Sequence, residues 1–156
     1  KAGQHGSAAC VLQPQRGLSM KLGFVSDSLG GLPFDAMLDH ATRMGVQGVE
    51  VNTGGWSTAP HFDLVTMKSA PVQKVFLAAF ADRGLEVIAL NANGNPLHPT
   101  DPKQGDCLRD TIRIAGEMGI KKVCTMSVLP EGRAGDLMPN WVVSNWPPVK
   151  QAIQRF

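Results

Sequence analysis

Glu86–Pro99, EVIALNANGNPLHP, joins a short apolar run (Val87, Ile88, Ala89, Leu90) to a polar, turn-rich one (Asn91, Asn93, Gly94, Asn95, Pro96, His98). An apolar run of about four to eight residues bounded by turn formers reads as a buried strand. Polar groups collected where such a strand ends are where parallel α/β folds bind small molecules. One stretch thus predicts both an architecture and a site.

The same alternation extends on both sides. Strands are predicted over 22–26, 48–52, 86–91 and 122–127. Between the first two, Phe34, Met37, Leu38, Ala41 and Met44 recur at helical spacing, with Pro33 at the first helical position and Gly45 as a left-handed stop. A second helix is predicted from Ser69 as N-cap, with Val72, Val75, Phe76, Ala79 and Phe80 facing inward and Gly84 ending it. A third runs from about Gln104 to Met118 on Leu108, Thr111, Ile112, Ala115 and Met118, and Gly119 closes it. A fourth is expected from Trp146 onward. This is a β/α repeat of about four units, which implies an α/β chain with a parallel sheet and right-handed crossovers.

Bulk properties narrow the function classes. The chain has 156 residues, 43% of them apolar, which suits one globular domain. Its formal charge of +2 is dispersed, so no basic stripe points to nucleic acid. No apolar run approaches the roughly 20 residues of a membrane span. Three cysteines without CxxC spacing (Cys10, Cys107, Cys124) predict reduced thiols in a cytoplasmic protein, with Cys124 as a small core residue. Residues 1–19 lack helical or strand period and are expected to be a disordered read-through or vector-derived segment, with the domain spanning 20–156.

Two completions of the repeat compete. One is an open, doubly wound, flavodoxin-like sheet. The other is the N-terminal half of a TIM (β/α)8 barrel, which as a whole needs about 250 residues. In the predicted strands Val49 and Val51 oppose Glu50 and Asn52, Ile88 and Leu90 oppose Ala89 and Asn91, and Cys124 and Met126 oppose Thr125 and Ser127. One face is greasy and the other smaller and more polar towards the strand ends. That asymmetry favours the barrel, because an open sheet covered on both faces is apolar on both.

The chain from Met20 to Phe156 resembles the sugar phosphate isomerase/epimerase family, the xylose-isomerase-like TIM barrels. The residues that carry the resemblance are MKLGFVS at 20–26, GVQGVEVNTGG at 45–55, NGNPLHP at 93–99 and NWPPVKQAIQRF at 145–156. It covers about the first half of that barrel. It implies isomerisation or epimerisation of a sugar, by moving a proton next to a carbonyl through an enediolate. It also implies a divalent metal (Mn, Mg, Co or Zn) in the full-length parent, whose ligands come mainly from later strands. No metal is expected in this chain alone, and the 156-residue chain is expected to be inactive.

The candidate catalytic residues are His98 and Glu50. A neutral His98 in a βα loop could bond a sugar hydroxyl or shuttle a proton, or it could cap a helix. Glu50 is a carboxylate within an apolar strand, so it needs a partner, whether as an acid/base group or as a structural carboxylate bonded to a neighbouring strand. Asn52, Asn91 and Asn93 are candidate hydroxyl binders, each amide offering donors and an acceptor. Trp56 could stack on a sugar ring or anchor its loop, and Asp27 could touch substrate or cap the first turn. The expected partner is a small-molecule sugar, with self-association of a half-barrel as a further expectation because open strand edges recruit partners. The non-catalytic alternative is a self-associating half-barrel or flavodoxin-like binding module. A metal-dependent endonuclease of the same barrel type is the second alternative.

Overall fold

A computed structural model describes residues 20–98 and 101–126. The expectations for residues 1–19 and for a helix after Trp146 lie outside these residues. So do Pro99 and Ser127. Seven elements alternate: β1 (Gly23–Val25), α1 (Phe34–Arg43), β2 (Gly48–Gly55), α2 (Ala70–Ala81), β3 (Glu86–Asn93), α3 (Pro102–Met118) and β4 (Val123–Thr125). The four strands form one parallel sheet in the order β1-β2-β3-β4. The α/β alternation read from the sequence is therefore present. No helix among the described residues is long and apolar enough to cross a membrane.

The strand order matters most. Each crossover steps one strand in the same direction, and parallel crossovers share one hand. The helices consequently collect on one side of the sheet. The core confirms this: Met37, Leu38 and Ala41 of α1, Phe76 and Phe80 of α2, and Ile114 and Ala115 of α3 pack with Val49, Val51 and Leu90. A doubly wound sheet needs a reversal of strand order, and the described strands contain none.

Helix limits follow local chemistry. Gly45, Gly84 and Gly119 take φ of 72°, 67° and 73°, the left-handed stop expected of them. Pro33 is the N-cap of α1 rather than its first helical residue, and Ser69 caps α2 without a side-chain hydrogen bond. α3 begins two residues before the expected Gln104.

Three inward faces differ from expectation. In α2, Val72 and Val75 are exposed, and Gln73 is buried in their place, donating to Met67 O and to Glu117. In α3, Ile112 is exposed and Ile114 is fully buried. In β3 the register slips between Val49 and Glu50, so Ile88 becomes an extra residue in a bulge. Its side chain lies over Gly23 and Gly48, on the Glu50 side of the sheet and not with Leu90. A Cβ at Gly48 would come within 2.6 Å of Ile88, so the two glycines make room for it.

Candidate functional site

The sheet face away from the helices carries Val25, Glu50 and Asn52, then Ala89 and Asn91, then Cys124, as the cross-strand register dictates. Glu50 is half-buried there. Its Oε1 accepts from Asn91 Nδ2 at 2.6 Å, and its Oε2 lies 3.5 Å from the Cys124 thiol, which donates to it. Three adjacent strands thus meet through one carboxylate. The structural role foreseen for Glu50, a bond to the neighbouring strand, is present.

Cys124 departs from its expected place in the apolar core. Asn91 and Cys124 are register partners, so the thiol faces the polar side. Burial first, and the Glu50 carboxylate second, push the thiol above its usual range. Removing the charge with Glu50→Gln should therefore lower it and raise the thiolate fraction at fixed pH. We expect faster carbamidomethylation of Cys124 in that variant at pH 8, followed by peptide mass spectrometry. An unchanged rate would show that the carboxylate does not reach the thiol.

Asn52 sits one pleat nearer the strand end, opposite Asn91. It is 2% exposed, and its backbone N–H donates to the buried Ser26 Oγ at 3.1 Å. Its Oδ1 is buried without a hydrogen-bond partner among the described residues. Such an acceptor is costly unless something donates to it. Behind the strand, Thr53 Oγ1 meets Thr111 Oγ1 of α3 at 2.7 Å, locking the helix to this end of β2.

The rim is set by β2 and β3 running past their expected ends. Gly55 pairs with Asn93, and the Trp56 N–H donates to the Asn93 carbonyl. Trp56 is half exposed just past the end of β2, while the Asn93 side chain is half-buried. Asp27 lies exposed in a 3₁₀ turn at Ser26–Leu29, and among the described residues no hydrogen bond or ion pair joins its side chain to the other candidates. His61, in the β2–α2 loop, is an anchor: its ring Nε2 lies 2.9 Å from Leu32 O, which only an N–H can satisfy.

His98 is attached to α3. Its Nδ1 accepts the Asp101 N–H at 2.9 Å, and its own N–H donates to Asn95 O at 3.1 Å. A neutral ring whose Nδ1 accepts carries its proton on Nε2. The helix-capping role foreseen for His98 is realised, and it restricts the other one: while this bond stands, the ring is a donor and not a base.

Two contributors escape a reading of the sequence alone. Cys124 reads as core because its neighbours are apolar. Gln104 reads only as a helix start, although Asp101-x-x-Gln104 is a capping-box spacing. Asp101 is indeed the N-cap, accepting from the Lys103 N–H.

The resident divalent metal implied by the resemblance does not fit these residues. Hard cations need several oxygen donors. The cluster offers one carboxylate, one thiol and amides, and among the described residues no three His, Cys, Asp or Glu side chains are placed to hold an ion.

The fold and this face define an α/β chain with a polar cluster at the carboxyl ends of a parallel sheet. No protein-family model matches it. The chain is 42% identical over 142 residues to the uncharacterized protein YfiH of Bacillus subtilis (strain 168). The match takes in 88% of this chain and 45% of that protein, so the chain spans less than half the length of the curated relative it matches.

Proposed function

We propose that residues 20–156 form the first half of a (β/α)8 barrel belonging to the sugar phosphate isomerase/epimerase family, and that the parent enzyme isomerises or epimerises a sugar or sugar phosphate in the cytoplasm. The observation that carries this reading is the sequential sheet with helices on one side and the Glu50–Asn91 cluster on the other. A barrel has its helices outside and its chemistry inside, at the carboxyl ends of its strands. The length of the Bacillus relative beyond the match leaves room for further βα units.

In this reading the first half supplies a substrate wall. The Asn52 Oδ1 accepts from a sugar hydroxyl and thereby gains the donor it lacks. Asn91, held by Glu50, presents a fixed amide, and Trp56 and Asn93 line the rim. His98, whose ring is oriented by the Asp101 N–H, is the candidate to bond a substrate hydroxyl. The reaction removes a proton from the carbon beside the carbonyl and returns it to the neighbouring carbon, or to the opposite face of the same one. Among these residues Glu50 alone offers a carboxylate to that transfer, since each of its oxygens keeps a second lone pair.

The test is deuterium exchange. Aldoses, ketoses and their phosphates are incubated in D₂O with the 156-residue chain and with the Bacillus relative. Proton NMR then reads loss of the signal next to the carbonyl. We expect exchange of at least one sugar by the relative and none by the 156-residue chain. No exchange across the panel by the relative would overturn the isomerase reading. Exchange by the shorter chain alone would overturn the half-barrel.

A further inference from the structure

Four residues around the start of α3 close a ring of hydrogen bonds. The Asn95 N–H donates to Gln104 Oε1 at 2.5 Å, and Gln104 Nε2 donates to Asp101 Oδ2 at 2.9 Å. The Asp101 N–H donates to His98 Nδ1, and the His98 N–H returns to Asn95 O. The chemistry fixes every direction. A backbone N–H only donates, so the Gln104 atom facing Asn95 is oxygen; a carboxylate only accepts, so the atom facing Asp101 is nitrogen. No other orientation of the amide satisfies both neighbours.

The ring also departs from an ordinary capping box. There the third helical residue reaches back to the N-cap N–H. Here His98 takes that N–H, and Gln104 reaches past it into the loop. Asn95 is 5% exposed, and its Oδ1 accepts the Leu97 N–H at 3.0 Å, so the loop before His98 is bonded turn by turn. A Cβ at Gly94 would approach Gln104 Oε1 to 2.8 Å, so glycine there lets the amide in.

We infer that Gln104 is a positioning residue for His98: it clamps the 94–98 loop to the first turn of α3 and thereby holds the imidazole with Nδ1 accepting and Nε2 protonated. Its functional meaning rests on the reading of His98 above. The test needs no substrate, so the two ideas fail separately. The Asp101 carboxyl reports on the same clamp, since the Gln104 hydrogen bond is the largest cause holding it below the usual carboxylate range.

The experiment is NMR on the ¹⁵N-labelled 156-residue chain. An N–H···N bond transmits a scalar coupling between its two nitrogens. We expect a coupling between the Asp101 amide nitrogen and His98 Nδ1, and its absence in the wild type would overturn the inference. Gln104→Ala removes both arms of the amide. Gln104→Glu keeps the length but sets a carboxylate against the Asp101 carboxylate. In both, the coupling should vanish and the Asp101 titration midpoint should rise, while core amides such as those of Val51 and Leu90 keep their shifts. A coupling that survives Gln104→Glu in the folded chain would overturn the positioning role. If Gln104→Ala does not fold, the wild type and Gln104→Glu decide alone.

Discussion

Gly55→Ala is expected to cost about 3 kcal/mol of folding stability, from a left-handed backbone penalty plus overpacking. Gly55 has φ of 79°, and a Cβ there would fall within the envelope of the Asn93 carbonyl, a backbone atom that cannot swing away. The same carbonyl accepts the Trp56 N–H, so the substitution pushes apart the joint between the ends of β2 and β3. Urea denaturation should show a lower midpoint with an unchanged slope. A loss below about 0.5 kcal/mol, the usual range for an inert surface change, would mean that the joint relaxes freely. The joint sets the spacing of Asn52, Asn91 and Asn93, so the change should reach the candidate site as well as the fold.

Phe80→Ala is expected to cost about 3–5 kcal/mol, the range for deleting a buried aromatic. Phe80 is 1% exposed and stands 5.2 Å from Phe76 and 5.9 Å from Phe34, ring centre to ring centre. Those rings join α1 to α2 behind the sheet. Domains of this kind have about 5–15 kcal/mol in all, so the substitution removes a large share of the folding stability. Circular dichroism and the guanidinium midpoint would show it. A midpoint close to wild type would require the cluster to collapse into the space left.

Much of the architecture was legible in the residues. Apolar runs closed by glycine set the alternation of strand and helix, because a left-handed stop admits glycine more readily than any other residue. The opposition of Val49 and Val51 to Glu50 and Asn52 held, since β2 alternates without a bulge in that stretch. Helix faces were less legible. α2 carries Val72, Val75, Leu77 and Ala79 around Phe76 and Phe80, so period alone does not say which side turns inward. The sheet chose the side with Gln73, whose amide finds Met67 O and Glu117.

The candidate site divides in the same way. Glu50, Asn52, Asn91 and His98 could be named from their positions at predicted strand ends. Their partners could not, because Cys124 meets Glu50 across 74 positions of chain and Asn91 meets it across 41. A single bulge at Ile88 reversed the face of that residue, since strand side chains alternate with a period of two.

The sequence by itself determined the β/α repeat, its glycine stops and the polar character of the strand ends, because these depend on local backbone preference and on neighbours a few residues apart. Only the tertiary structure decided the strand order, the single helix-covered face, the thiol and amide bonds to Glu50 and the donor state of His98. Each of those needs groups distant in the chain, or joined through a loop, to be brought within hydrogen-bond reach.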